Sequence, residues 1–312
     1  MTPATAPLLV VLVVLGLVNI LRLAPRRRRV AAAHNFARKV DLDLPPAMVD
    51  TVGRRLALRE YVGGATGLLA GVVAILLLRG DEIAIWLVVA FLTYFLGHAV
   101  GHGIVAWYEA TRPVPPGARL ARATTPTHAD YVAGHERVGA WVLAAVSALI
   151  AVGLVAADRT GVLELRPLPW ALVVVAVVVP PLAIAADELA AARLLRRRQA
   201  AATLVELAWD DAMRARTLRD MATVPMAASA YAPLLLLTGI ANQLEGGWPA
   251  NAAIGVANGL LLLLLVGLLG MAVLSAALGP QRHFRRRLWP QAEAHPTSAP
   301  AVATRDAAGS VG

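Results

Sequence analysis

Seven apolar runs, at residues 7–24, 62–78, 83–107, 139–157, 170–186, 225–241 and 251–278, dominate this 312-residue chain. A bilayer core about 30 Å thick is crossed by about 20 residues of helix, and runs of about 17 still suffice. The expected fold class is therefore all-α: a polytopic helical membrane bundle of about seven transmembrane helices. A hydrophobic content of 58% exceeds what one soluble core of this size would use. The sixth run is the weakest, since it opens at Pro225 and carries Pro233 inside.

The basic residues set the expected threading. Of 29 Lys and Arg, ten fall in residues 22–61, four in 109–138, seven in 187–224 and five after 278, which leaves only Arg79, Arg159 and Arg166 for the other loops. Positive charge is retained on the cytoplasmic side during insertion. The rich segments are thus expected inside a bacterial cytoplasmic membrane, with the N-terminus outside and the C-terminus in the cytoplasm. The first run lacks a basic leader and is followed by Arg26–Arg29, so it is expected to remain as an anchor. The net charge of +9 is read as topogenic charge that also meets anionic lipid headgroups, and not as a nucleic-acid surface, because the arginines flank apolar spans.

One transmembrane helical domain is expected over residues 1–278, with cytoplasmic helical segments at 25–61, 109–138 and 187–224. A tail at 279–312 is basic at Arg282 and Arg285–Arg287, then expected to be disordered. Pro45 and Pro46 divide residues 30–60 into two short helices. Residues 187–222 read as helical throughout, a solvated or interfacial hairpin on which Asp210 and Arg214, and Arg216 and Asp220, are spaced to pair. The chain has no cysteine, which excludes disulfides, thiolate catalysis and iron–sulfur ligation. Its single lysine, Lys39, lies outside the apolar runs, so no span can form a retinal Schiff base.

Arg-Leu-Ala-Arg-Ala at 119–123 with Asp130 and Tyr131, and Glu-Leu-Ala-Trp-Asp-Asp-Ala at 206–212 with Leu218 and Arg219, are similar to segments of uncharacterised multi-pass, arginine-rich membrane proteins of high-GC bacteria. The resemblance implies a helical membrane fold. It brings no activity and no site residues with it.

Two constellations bear on function. Gly63, Gly67 and Gly71 recur every four residues in the second run, Gly97 and Gly101 repeat the device in the third, and Gly255 and Gly259 in the seventh. Such rows let helix backbones approach closely, either within the chain or in a homo-oligomer or membrane complex. His98 and His102 share one helix face, with Tyr94 and Glu109 along the same stripe. At a rise of 1.5 Å per residue, His98 is about 4.5 Å from the centre of its span and His102 about 10.5 Å, near the headgroups. Two neutral imidazoles at this spacing can share a metal, with Glu109, His128 or His135 completing the shell. Interhelical hydrogen bonding of His98 and b-type haem ligation are the other readings, and haem would need an axial partner that no other span supplies as histidine. Pro180 and Pro181 interrupt the fifth run and Pro233 the sixth; kinks that shape the bundle are the leading expectation, and discontinuous helices of the kind that solute transporters use are the alternative. No zinc-protease motif, phosphate loop or nucleophile elbow is present. The leading expectation is a non-enzymatic component acting in transport, envelope organisation or regulation, without a resident cofactor. A metal or haem protein and a solute transporter are the alternatives.

Overall fold

A computed structural model describes residues 5–22, 24–77, 83–111, 125–161, 170–197, 199, 201, 203–241, separate positions between 255 and 270, and 282–290. Among these every regular element is helical. The helices are α1 (Thr5–Leu21), α2 (Arg26–Val40), α3 (Pro46–Leu77), α4 (Ile83–Thr111), α5 (His128–Tyr131), α6 (Gly134–Arg159), α7 (Trp170–Leu195), α8 (Leu204–Ala241) and α9 (His283–Leu288). The described positions between 255 and 270 are helical as well. Among the described residues three helices are long and apolar enough to cross a membrane: Pro46–Leu76, Gly134–Arg159 and Val173–Leu195. Leu69 and Leu76 on α3, Leu149 and Val152 on α6, and Leu182 and Leu189 on α7 are exposed, an outward apolar surface that lipid would solvate.

The prolines divide two helices at one place and are accommodated within a helix at two others. α2 ends where Asp41 takes a left-handed conformation (φ 56°), its N–H bonded to the Ala37 carbonyl. Pro46 then opens α3 as its first residue, where a missing N–H costs nothing. The second helix is not short, however, because α3 continues for 32 residues into the second apolar run. The discontinuous helices of the transporter alternative are not found in the described parts of the fifth and sixth runs. α7 passes through Pro180 and Pro181, and α8 passes through Pro225 and Pro233, each as one helix. Tight packing on both sides explains this for α8, since Pro225 and Pro233 are themselves buried.

α3 packs against α1, α2 and α4, while α8 runs between α4, α6 and α7. Small residues set the first of these contacts. A Cβ at Gly97 would stand 2.6 Å from both the Ala70 Cβ and the Thr66 carbonyl oxygen, and one at Gly67 would stand 2.8 Å from the Tyr94 carbonyl. A Cβ at Gly101 would lie 2.7 Å from the Gly63 Cα. The glycine rows of the second and third runs therefore face each other inside the chain, and Gly71 and Gly16 repeat the close fit between α3 and α1. Gly255 and Gly259 behave differently: nothing among the described residues comes within 4 Å of a Cβ placed there. Their expected packing role has no partner in the described structure.

The four Arg-rich segments converge at one end of the bundle. Phe36 and Val40 of α2, Tyr131 of α5, Leu194 at the end of α7, Trp209, Met213 and Leu218 of α8 and Phe284 of α9 form one buried cluster. This corrects the reading of residues 187–222. The chain turns between α7 and α8, and the first half of α8 is enclosed instead of solvated, because Trp209, Asp211 and Leu218 all point into the cluster. The expected pairs on that helix are present, with Arg216 Nε 3.0 Å from Asp220 and Arg214 Nη2 3.8 Å from Asp210. Polar groups in this core are satisfied: Asp211 accepts from Tyr131 Oη (2.9 Å), Gln199 (2.7 Å) and Trp289 Nε1 (3.0 Å), and Trp209 donates to the Asp43 carbonyl (2.9 Å). The basic part of the tail is likewise docked as α9, with Phe284 buried and Arg285 bonded to Asp41. Residues 291–312, expected to be disordered, lie outside the described residues.

Candidate metal centre

The glycine crossing decides which polar side chains meet between α3 and α4. Gly63 faces both imidazoles: a Cβ there would be 2.5 Å from His102 Cδ2 and 2.9 Å from His98 Cε1. The missing side chain is the space in which the two rings sit, their centroids 4.4 Å apart. Tyr94 stacks on His98 with an interplanar angle of 11°. One turn before Gly63 on α3, Glu60 completes a group with His98 and His102 in which one ligand atom from each lies within 4.8 Å of the others. Ligands of a tetrahedral ion at 2.0–2.1 Å would be about 3.3 Å apart. Side-chain rotations of about 1 Å close that difference. His98 Nδ1 and His102 Nε2 are buried without a hydrogen-bond partner, so the cluster presents two unused imidazole nitrogens next to a carboxylate.

Burial reverses the order read from the sequence. His102 is 8% exposed and His98 only half-buried, because α8 covers His102 and sets Asp220 Oδ1 3.9 Å from its Nδ1. That distance is too long for a hydrogen bond. It nevertheless puts a negative charge on the Nδ1 side, and a carboxylate behind an imidazole favours the neutral tautomer whose Nε2 is free to bind a metal.

The other three expected ligands lie outside this group. Glu109 accepts from Arg55 Nε at 3.0 Å and from Arg59, and its carbonyl accepts from Arg197. Burial raises the pKa of the Glu109 carboxyl, but the Arg59 and Arg55 guanidiniums outweigh it and hold the group below its ordinary value. Glu109 is thus a structural counter-ion. His128 sits in the loop-side layer, Nδ1 3.6 Å from Glu188, where burial and the Arg137 charge keep its pKa below that of a free imidazole. His135 opens α6 and is not part of the cluster. Among the described residues Glu60, His98 and His102 form the one group of three His or carboxylate side chains close enough to share an ion.

Arg59 is the hub of the polar layer beside this cluster. It is 1% exposed, and its guanidinium donates to Asp220 Oδ2 (2.8 Å), Thr217 Oγ1 (2.6 Å) and Glu109. Neither Glu60 nor Arg59 could be singled out from spacing, because both lie in an Arg-rich stretch that reads as topogenic charge. Their signal was positional: each stands within a turn of the glycine row that draws α3 onto α4. No protein-family model matches the chain, and no curated protein or solved structure matches it either.

Proposed function

We propose that this is a seven-span protein of the bacterial cytoplasmic membrane that binds a divalent transition metal through Glu60, His98 and His102. Its Arg-rich end is cytoplasmic, its N-terminus external, and its role non-enzymatic, in metal-dependent transport, envelope organisation or regulation. The observation that carries the metal reading is the pair of buried, unpartnered imidazole nitrogens set beside Glu60 by the glycine crossing. Nitrogen with one carboxylate is a donor set suited to zinc, iron, nickel or copper, with a coordination position left for water or solute. Haem is the less favoured cofactor. His98 and His102 lie on one helix with ring centroids 4.4 Å apart, so they cannot grip a porphyrin from opposite faces, and the Gly63 contact leaves no space there for a macrocycle. The unbroken α7 and α8 remove the feature that favoured a transporter with discontinuous helices.

Elemental analysis of protein purified from metal-replete cells tests the reading. One equivalent of a transition metal is expected in the wild type, with less than a tenth of that in His98→Ala and His102→Ala and a reduced amount in Glu60→Gln. Glu109→Gln should retain the metal wherever it folds. A wild type without stoichiometric metal, or with metal insensitive to all three substitutions, overturns the assignment. A Soret band would replace it with haem.

The threading rests on the partition of basic residues and is supported by the convergence of those segments in one core. Reporter fusions after Gly80, Gly161 and Gly247 are expected to be active outside, and fusions after Gly117, Arg198 and Gly279 in the cytoplasm. An external C-terminus would reverse the orientation or change the number of spans.

A further inference from the structure

The outer flank of the bundle carries a second polar group that neither the Arg59 network nor the metal cluster uses. A cavity of about 300 Å³ opens between α4, α7 and α8, lined by Ile104, Trp107, Ala183, Met221, Val224 and Pro225 among others. Asp187 is the one ionisable side chain in that lining. It is 9% exposed, and its Oδ1 is buried without a hydrogen-bond partner. The nearby cation Arg137 is taken by Glu188 at 2.8 Å, and among the described residues no basic side chain is paired with Asp187. Gly103 lets α4 approach α8 beside the cavity, since a Cβ there would meet Val224 Cγ2 at 2.7 Å. Ile104 and Trp107 at the rim are exposed, which opens the cavity toward the surrounding lipid.

The geometry points to a binding site for a small lipophilic organic cation, an amine or quaternary ammonium with an apolar body, that enters from the bilayer and sets its positive charge against Asp187. Three features fit that chemistry. A lone buried carboxylate needs a counter-charge to remain ionised in an apolar surround. The remaining lining is hydrocarbon and one indole, which gains from contact with an apolar body, and Trp faces attract cations. The Trp107 ring already does so on the rim, where the Arg193 guanidinium carbon stands 5.6 Å from its centroid. Among the described residues no lining side chain is basic, and the Arg193 guanidinium lies at the rim over Trp107, so a lipid phosphate would find its counter-charge outside the cavity and away from Asp187. This site is separate from the metal reading and does not depend on it.

Benzyltrimethylammonium is a suitable probe, because neopentylbenzene has nearly the same shape without the charge. Equilibrium dialysis with the full-length protein in a non-ionic detergent is expected to give one saturable site for the cation. Asp187→Asn should weaken binding at least tenfold, and Asp158→Asn, at the far end of α6, should leave it unchanged. Ile104→Trp should block binding by filling the cavity while leaving the carboxylate in place. Neopentylbenzene should not displace the cation. The inference fails if no saturable binding occurs, if Asp187→Asn binds as well as the wild type, or if neopentylbenzene competes as effectively as the cation. It also fails if phosphatidylethanolamine at a few molecules per protein abolishes binding, since the occupant would then be a lipid headgroup. Unchanged melting temperatures and metal contents of the variants separate loss of the site from loss of the fold.

Discussion

Arg59→Leu is expected to lower stability by about 3–5 kcal/mol, because removing one member of a buried charge network leaves its partners uncompensated. The partners are Glu109 and Asp220, both buried, with Thr217 losing its donor as well. In a thermal melt of the detergent-solubilised protein this corresponds to a fall on the order of 10 °C. Arg59→Lys keeps the charge but not the two-pronged geometry that reaches α4 and α8 together, so it should fall between the wild type and the leucine variant. Adding Asp220→Asn to Arg59→Leu should restore part of the loss, since one orphaned charge disappears. A melting temperature for Arg59→Leu within a degree or two of the wild type would mean that water reaches this layer and screens it.

Gly97→Leu should strongly disrupt the helix-packing surface. A side chain there would press on the Thr66 carbonyl, the Ala70 Cβ and the Gly67 Cα at 3.0 Å or less. Two of those atoms are backbone and cannot rotate away, so α3 and α4 must separate. Overpacking of well-fitted sites costs about 1–3 kcal/mol, and a helix-on-helix clash lies at or beyond the upper end. Gly153→Leu provides the contrast: nothing lies within 4 Å of a Cβ at Gly153 on α6, and a change within about 0.5 kcal/mol is expected. Melting temperature and the monodispersity of the purified variants measure both. Equal behaviour of the two would show that the glycine crossing does not hold the bundle together.

The helical class was readable because apolar length is a property of each segment alone. The same holds for the proline that opens α3 and for the glycine spacing that draws α3 onto α4. What escaped reading depends on neighbours distant in sequence. Trp209, Asp211 and Leu218 read as positions on a solvated helix until Phe36, Tyr131 and Phe284 arrive from three other segments to form one cluster with that helix. Glu109 shares a stripe with His102, yet Arg55 and Arg59 reach it first from α3. Glu60 joins the histidines only because the helices cross at Gly63, and the exposure order of His98 and His102 is set by α8, whose approach no local pattern reveals. Depth in a span and burial in a bundle are different quantities, and only the former can be counted along the chain.

The Arg-rich core also imposes a timetable. It takes Phe36 from near the beginning of the chain and Phe284 from near its end, and Trp289 supplies a hydrogen bond to Asp211 from beyond α9. Contacts that distant in sequence close late, after the intervening segments have been made and threaded. Until residues 284–289 dock, the cluster lacks the Phe284 ring, and Asp211 has Tyr131 and Gln199 but not Trp289 as donors.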